Sequence, residues 1–136
     1  MITAIDTSVI LDVIGADPGF GPASLRALGE AQRLGVVMAC DVVWGEMGAL
    51  YSTPHEAADA MREMDIRFAA LDPDVAAAAG GVWRSYRNAG QGRHRLLPDF
   101  LIGTHAWMRA DQFLARDRGF YRTYFKRLKI VDPSTS

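Results

Sequence analysis

The sequence predicts an α/β fold, three layers deep as α/β/α, around a central, mainly parallel sheet of four to five strands. Three observations carry that reading. Short β-type runs alternate with longer segments of helical period, as βα units require. Runs such as Val36 to Cys40 are apolar throughout and read as buried strands. The chain has 136 residues, 49% of them hydrophobic, which suits one core and leaves no room for a second folded unit. A core of this size needs neither disulfides nor a structural metal.

The elements follow in order. Ile2 to Asp6 is a short strand ending in a carboxylate. Residues 7–14 place Val9, Ile10, Val13 and Ile14 on one helical face, with Thr7 or Ser8 as N-cap. Residues 15–22 are a loop, 23–34 a helix closed by Gly35, and 36–40 a strand. Asp41 is expected to cap a helix reaching Tyr51, and Pro54 opens another reaching Met64. Residues 67–71 are a third strand, and Asp72-Pro73-Asp74 starts an Ala-rich helix ending near Asn88. After a loop over 89–95, Pro98-Asp99 opens a helix through Arg109. Strands are expected at 112–115 and 128–131, and the Pro-Ser-Thr-Ser ending as a solvated tail.

Cys40 is the only cysteine, so neither an intramolecular disulfide nor a Cys-based zinc site exists. Its apolar neighbours make it a small buried thiol. The start, Met1-Ile2-Thr3-Ala4-Ile5-Asp6, lacks a basic n-region and carries an acid where a signal peptide is apolar. No stretch approaches the roughly 20 apolar residues of a membrane span. The expectation is a soluble, cytoplasmic protein with no membrane partner.

In an open α/β sheet, ligands bind beyond the carboxyl ends of the strands. Asp6, Asp99 and Asp117 fall at such positions, and Glu46 is the only charge between Val42 and Tyr51. Singly, each has an ordinary explanation. Asp6 and Asp99 can be helix caps, Asp117 a turn residue, and Glu46 part of a polar stripe with Gly45 and Gly48. Jointly, four carboxylates at one sheet edge repel unless cations neutralise them. Oxygen-only ligands suit Mg²⁺ or Mn²⁺ better than zinc, and such an ion activates water against a phosphodiester.

The order Asp6-Thr7-Ser8, Glu46, Asp99, Asp117 resembles the PIN-domain ribonucleases, and among them the VapC toxins of toxin–antitoxin pairs. Ile5-Asp6-Thr7-Ser8-Val9-Ile10-Leu11-Asp12 is similar to that family's opening. Arg95-Leu96-Leu97-Pro98-Asp99-Phe100-Leu101-Ile102-Gly103-Thr104-His105-Ala106 resembles its third-acid motif. Arg116-Asp117-Arg118-Gly119-Phe120-Tyr121 resembles the fourth-acid segment, and Leu128 to Pro133 the closing strand.

The resemblance implies a PIN-like domain over residues 1–133, with 134–136 a flexible tail. It implies a Mg²⁺-dependent endoribonuclease, with Mn²⁺ as substitute, that acts as a toxin. Asp6 and Asp99 become the metal ligands, Glu46 and Asp117 complete the acidic pocket, and Ser8 supports it by hydrogen bonding. It further implies an RNA substrate, a homodimer and a cognate antitoxin. Many relatives carry Thr or Ser two positions before the fourth acid, where this chain has Ala115, which bears on how Asp117 is oriented.

Other residues accompany this pattern. Arg93, Arg95, Arg116 and Arg118 are candidate RNA contacts, and His94 in the same loop stands between phosphate contact and solvation. Asp12 is read as a surface or supporting acid, and His105 as a packed helical histidine. Trp44, Met47 and Tyr51 share a face and belong to the core or a dimer surface. Tyr121, Tyr124 and Phe125, interleaved with Arg118, Arg122, Lys126 and Arg127, either clamp RNA or pack inward.

Two other acid-at-strand-end chemistries fail. A receiver-type phosphoacceptor needs an early acidic pair and a late lysine at the same edge, and a dehalogenase-type phosphatase needs Asp where Ser8 stands. A non-catalytic PIN-like module that binds RNA or protein remains the alternative. Net charge is −1, which by itself excludes a simple polybasic binder. Residues 1–83 nevertheless carry 4 basic and 12 acidic side chains, and residues 84–129 carry 11 basic and 3 acidic. The near-neutral sum therefore hides a strong polarity, and a basic C-terminal part can accompany RNA towards an acidic cleft.

Overall fold

A computed structural model describes residues 1–90 and 95–135. Five strands form one sheet in the order β3-β2-β1-β4-β5: β1 (Ile2–Ile5), β2 (Val36–Cys40), β3 (Ile66–Ala69), β4 (Gln112–Leu114) and β5 (Ile130–Val131). Every pairing is parallel. Seven α-helices are described: α1 (Thr7–Ile14), α2 (Gly21–Leu34), α3 (Asp41–Gly48), α4 (Pro54–Glu63), α5 (Pro73–Asn88), α6 (Leu97–Arg109) and α7 (Phe120–Tyr124). This is the α/β arrangement with a central parallel sheet that the sequence predicts.

Consecutive residues of the three inner strands are buried: Thr3, Ala4 and Ile5 in β1, Val37 to Cys40 in β2, and all of β4. Successive strand side chains point to opposite faces, so both faces of the sheet are covered. The core joins Ile5, Val9 and Ile10 to Met47, Met61, Ile66, Phe113 and Phe125. A smaller cluster of Ala79, Tyr86 and Phe100 seals α5 against α6.

Helix α6 lies so close to the C-terminal segment that a Cβ on Gly103 would sit 2.5 Å from the Phe125 ring. Cys40 is a buried free thiol, and burial raises its pKa. His105 is buried too, which lowers its pKa. No helix among the described residues is long and apolar enough to cross a membrane.

From β1 the chain steps outward through β2 and β3, then returns to the other side of β1 with β4 and β5. The direction reverses between β1 and β4, where an open parallel sheet forms its crevice. The Asp6 N–H donates to the Leu114 carbonyl at 2.9 Å, so the chain segments leaving both strands start side by side at that crevice.

Several boundaries differ from the sequence reading. Asp41 does not cap α3; Cys40 holds the N-cap position and Asp41 lies in the first turn. That helix stops at Gly48 and not Tyr51, since Gly45 and Gly48 weaken its propensity. Of its expected apolar face, Met47 is fully buried, while Trp44 is half-buried and edges against Phe68. Strand β3 runs from Ile66 to Ala69, and β5 is only two residues long. Pro133–Thr135, expected within a solvated tail, forms a 3-10 turn with Pro133 buried. The cause is Asp132, which accepts hydrogen bonds from the Ser134 N–H and hydroxyl at 2.8 and 2.5 Å.

Candidate active site

Asp6 sits at the junction of β1 and α1 and is the N-cap of that helix. Its Oδ1 accepts the Thr7 N–H and its Oδ2 accepts the Ser8 hydroxyl, both at 2.9 Å. Of the caps the sequence offers, Asp6 and not Thr7 or Ser8 does the capping, and both of those residues serve it as donors. The Thr7 hydroxyl, freed from capping, donates to Glu46 Oε1 at 2.8 Å. That bond ties α1 to α3, and sequence reasoning missed it because 39 positions separate the two residues. Glu46 is exposed, so its carboxylate keeps access to solvent on a helix whose only other charge is Asp41 in the first turn.

Asp99 is not a cap. Leu96 is the N-cap of α6, without a side-chain bond, and Asp99 lies in the first turn, where the helix dipole favours an anion. The Arg95 guanidinium stands 3.8 Å from Asp99 Oδ2. Desolvation, together with the charges of Glu46 and Asp99, raises the pKa of Asp6 to about 6, against the pull of Ser8 and Thr7. The buried Tyr121 phenol is pushed well above its usual pKa by desolvation first, then by Asp6, Asp99 and Glu46. Three carboxylates and the Tyr121 phenol therefore share one electrostatic neighbourhood.

Asp117 does not join them. Its Oδ1 accepts the N–H groups of Gly119 and Tyr121, both at 3.0 Å, and its Oδ2 accepts the Arg122 N–H at 3.1 Å. Arg122 Nη1 stands 3.5 Å from Oδ2, and only 1% of the Asp117 side chain is exposed. The Asp117 N–H in turn donates to Asp132 Oδ2 at 2.9 Å. The expected fourth acid of the pocket is instead the anchor of α7, which carries Tyr121. Ala115, fully buried, supplies no hydroxyl to draw the carboxylate elsewhere.

Of the candidate cationic contacts, Arg95 lies over the Phe120 ring at 4.5 Å, beside Asp99. Arg118 is exposed on the loop before α7. Arg116 is not available: its Nε and Nη2 bind Asp12 at 2.8 and 3.1 Å, and its guanidinium stacks on Phe20. Asp12, expected at the surface or in support of the site, is buried and also accepts the Ser24 hydroxyl at 2.8 Å. Arg93 and His94 lie outside the described residues.

Asp6, Glu46 and Asp99 offer oxygen donors only, and no Lys or Arg among the described residues pairs with Asp6 or Glu46. Among the described residues, no three His, Cys, Asp or Glu side chains already form a metal cage. Mg²⁺ does not need one, since it is held by one or two carboxylates with water and substrate phosphates. The donor set fits a hard divalent cation.

The PIN-domain family profile matches residues 3–126. The chain belongs to the PIN-domain family. No curated protein matches the sequence. Among solved structures, the fold of this PIN domain is similar to VapBC2 from Rickettsia felis bound to a DNA fragment from its promoter. That match has a TM-score of 0.75 at 14% identity and covers 97% of this chain and 98% of that one. It is also similar to VapBC-1 from nontypeable Haemophilus influenzae, with a TM-score of 0.72, 15% identity, and 98% and 99% coverage. A third similar structure is FitAB bound to the IR36 DNA fragment, with a TM-score of 0.65, 21% identity, and 100% and 97% coverage.

Proposed function

We propose that this PIN domain is a metal-dependent endoribonuclease of VapC type, acting in the cytoplasm as the toxin of a toxin–antitoxin pair. The observation that carries the reading is Asp6, a largely desolvated carboxylate with no cationic partner among the described residues, set beside two more acids at the sheet's switch point. An arrangement of this kind is costly until a cation is bound.

Asp6 and Asp99 would hold Mg²⁺, or Mn²⁺ in its place, with Glu46 beside them. Once bound, the ion supplies a more acidic water and neutralises charge on the phosphodiester. The remaining work belongs to the chain. Ser8 and the Thr7 N–H fix both oxygens of Asp6, and the Thr7 hydroxyl fixes Glu46. Arg95 offers a cation beside Asp99 for the phosphate of the RNA substrate. By analogy with the VapBC and FitAB assemblies, the chain is proposed to pair with a cognate antitoxin, and the PIN-family resemblance adds a homodimer to the proposal.

The withdrawal of Asp117 favours a second reading, a non-catalytic PIN-like module that binds RNA or protein. Cleavage of single-stranded RNA with Mg²⁺, with and without EDTA, decides between them. The nuclease reading expects Asp99→Asn and EDTA each to abolish cleavage, and Mn²⁺ to restore it after chelation. Cleavage unchanged by either treatment overturns it.

A further inference from the structure

Beside the carboxylates, a recess of about 400 Å³ opens between α7 and the loop ahead of it, lined by Arg95, Arg118, Phe120, Thr123 and Tyr124, with Tyr86 at its base. It shares a wall with the acidic cluster, because the Arg95 guanidinium that borders it is 3.8 Å from Asp99. Its apolar side is aromatic. The Phe120 and Tyr124 centroids lie 5.5 Å apart, Tyr86 meets Tyr124 edge-on at 5.4 Å, and both Phe120 and Tyr124 are only half-buried. Arg95 already covers the Phe120 ring, whereas among the described residues no cation lies over the part-exposed Tyr124 ring. Arg118 is exposed, and among the described residues no carboxylate pairs with it.

We infer that this recess is a nucleotide-binding subsite, in which one unpaired base of the RNA stacks on Tyr124 while Arg118 holds a neighbouring phosphate. The inference rests on the RNA reading above and deepens it. Half-exposed aromatic rings between cations are the chemistry that binds single strands, whose bases present free π-faces. A duplex hides those faces within its stack, so the subsite selects unpaired RNA. Since Arg95 borders both the recess and Asp99, the stacked nucleotide lies next to the phosphodiester presented to the acids.

The test is binding of a fluorescein-labelled single-stranded oligoribonucleotide to the full chain in EDTA, followed by anisotropy at several salt concentrations. Tyr124→Ala is expected to weaken binding about tenfold, and Tyr124→Phe to retain it. Arg118→Gln is expected to weaken binding several-fold and to lower the salt slope by about 0.7. Arg33→Ala, on the exposed Arg33–Glu30 pair of α2, should leave binding unchanged. A 2-aminopurine base in the strand should be quenched by the wild type and not by Tyr124→Ala. Wild-type affinity in both Tyr124→Ala and Arg118→Gln, or equal affinity for duplex RNA, overturns the subsite while leaving the nuclease reading standing. Failure of the wild-type chain to bind any single-stranded RNA overturns both.

Discussion

Arg116 and Asp12, 104 positions apart in the chain, form a two-point ion pair that joins α1 to the segment leaving β4. Asp12 is 4% exposed, and Ser24 of α2 donates to the same carboxylate. The pair therefore fixes how α1, with Asp6 at its start, sits against the chain that leads to Asp117. Removing one partner strands the other charge, so Arg116→Ala should lower unfolding free energy by about 3–5 kcal/mol. Urea denaturation of Arg116→Ala, Asp12→Ala and the double variant measures it. The double variant is expected to lose clearly less than the sum of the single ones.

Asp117 accepts three backbone N–H groups, and an asparagine amide would turn a donor towards some of them. Asp117→Asn should cost about 2 kcal/mol of stability. Its Mn²⁺ affinity, read by electron paramagnetic resonance, should stay within about twofold of wild type, whereas Asp6→Asn and Asp99→Asn lose the ion. An Asp117→Asn protein that is stable but cannot bind Mn²⁺ would return this residue to the metal pocket.

Asp6 titrates near 6 in the folded chain and near 3.8 when free of its surroundings. Between those values the folded state holds the extra proton, so metal-free stability falls as pH rises from about 4 to about 6. The loss is at most about 3 kcal/mol. Asp6→Asn removes this dependence and should be more stable than wild type at pH 7 without metal. Adding Mg²⁺ or Mn²⁺ at pH 7 should raise the wild-type Tm and leave that of Asp6→Asn nearly unmoved. Denaturation series across pH, with and without metal, check both outcomes.

A methyl group added at Gly103 would fall 2.5 and 2.7 Å from two carbons of the Phe125 ring, which is itself 1% exposed. Gly103→Ala is expected to cost about 1–3 kcal/mol through overpacking. Pairing it with Phe125→Leu should recover part of the loss, as thermal melts of the two variants would register.

What could be read from the sequence was whatever depends on near neighbours. The alternation of apolar runs located the strands, and Asp6-Thr7-Ser8 gave a junction whose donors stand one and two residues from the acid they serve. Asp72 and Pro73 marked the start of α5 correctly, because a cap needs only the three residues that follow it. The misreadings concern partners far along the chain. Nothing around Asp12 announces an arginine 104 residues later, so the sequence reads a buried anchor as a surface or supporting acid and Arg116 as a candidate RNA contact. Asp117 lies in a motif whose residue types suit a metal pocket equally well, and its backbone N–H is held by Asp132, 15 residues on, while its carboxylate caps the chain entering α7. Leu128 and Lys129 fit a β pattern, yet the last strand is only Ile130 and Val131, with Lys129 adding just a carbonyl that accepts the Phe113 N–H of β4 at 2.8 Å.

The strand order also sets when the acidic cluster can exist during synthesis. β1 emerges first, but one of its two neighbours, β4, begins at Gln112, and the Asp6 N–H waits for the Leu114 carbonyl. Until then β1 lacks the β4 partner on the side where Asp6 meets the Leu114 carbonyl. Non-local parallel pairing is slow to form and late to complete. The acidic cluster around Asp6 thus takes its final form only after β4 has been made and has paired with β1.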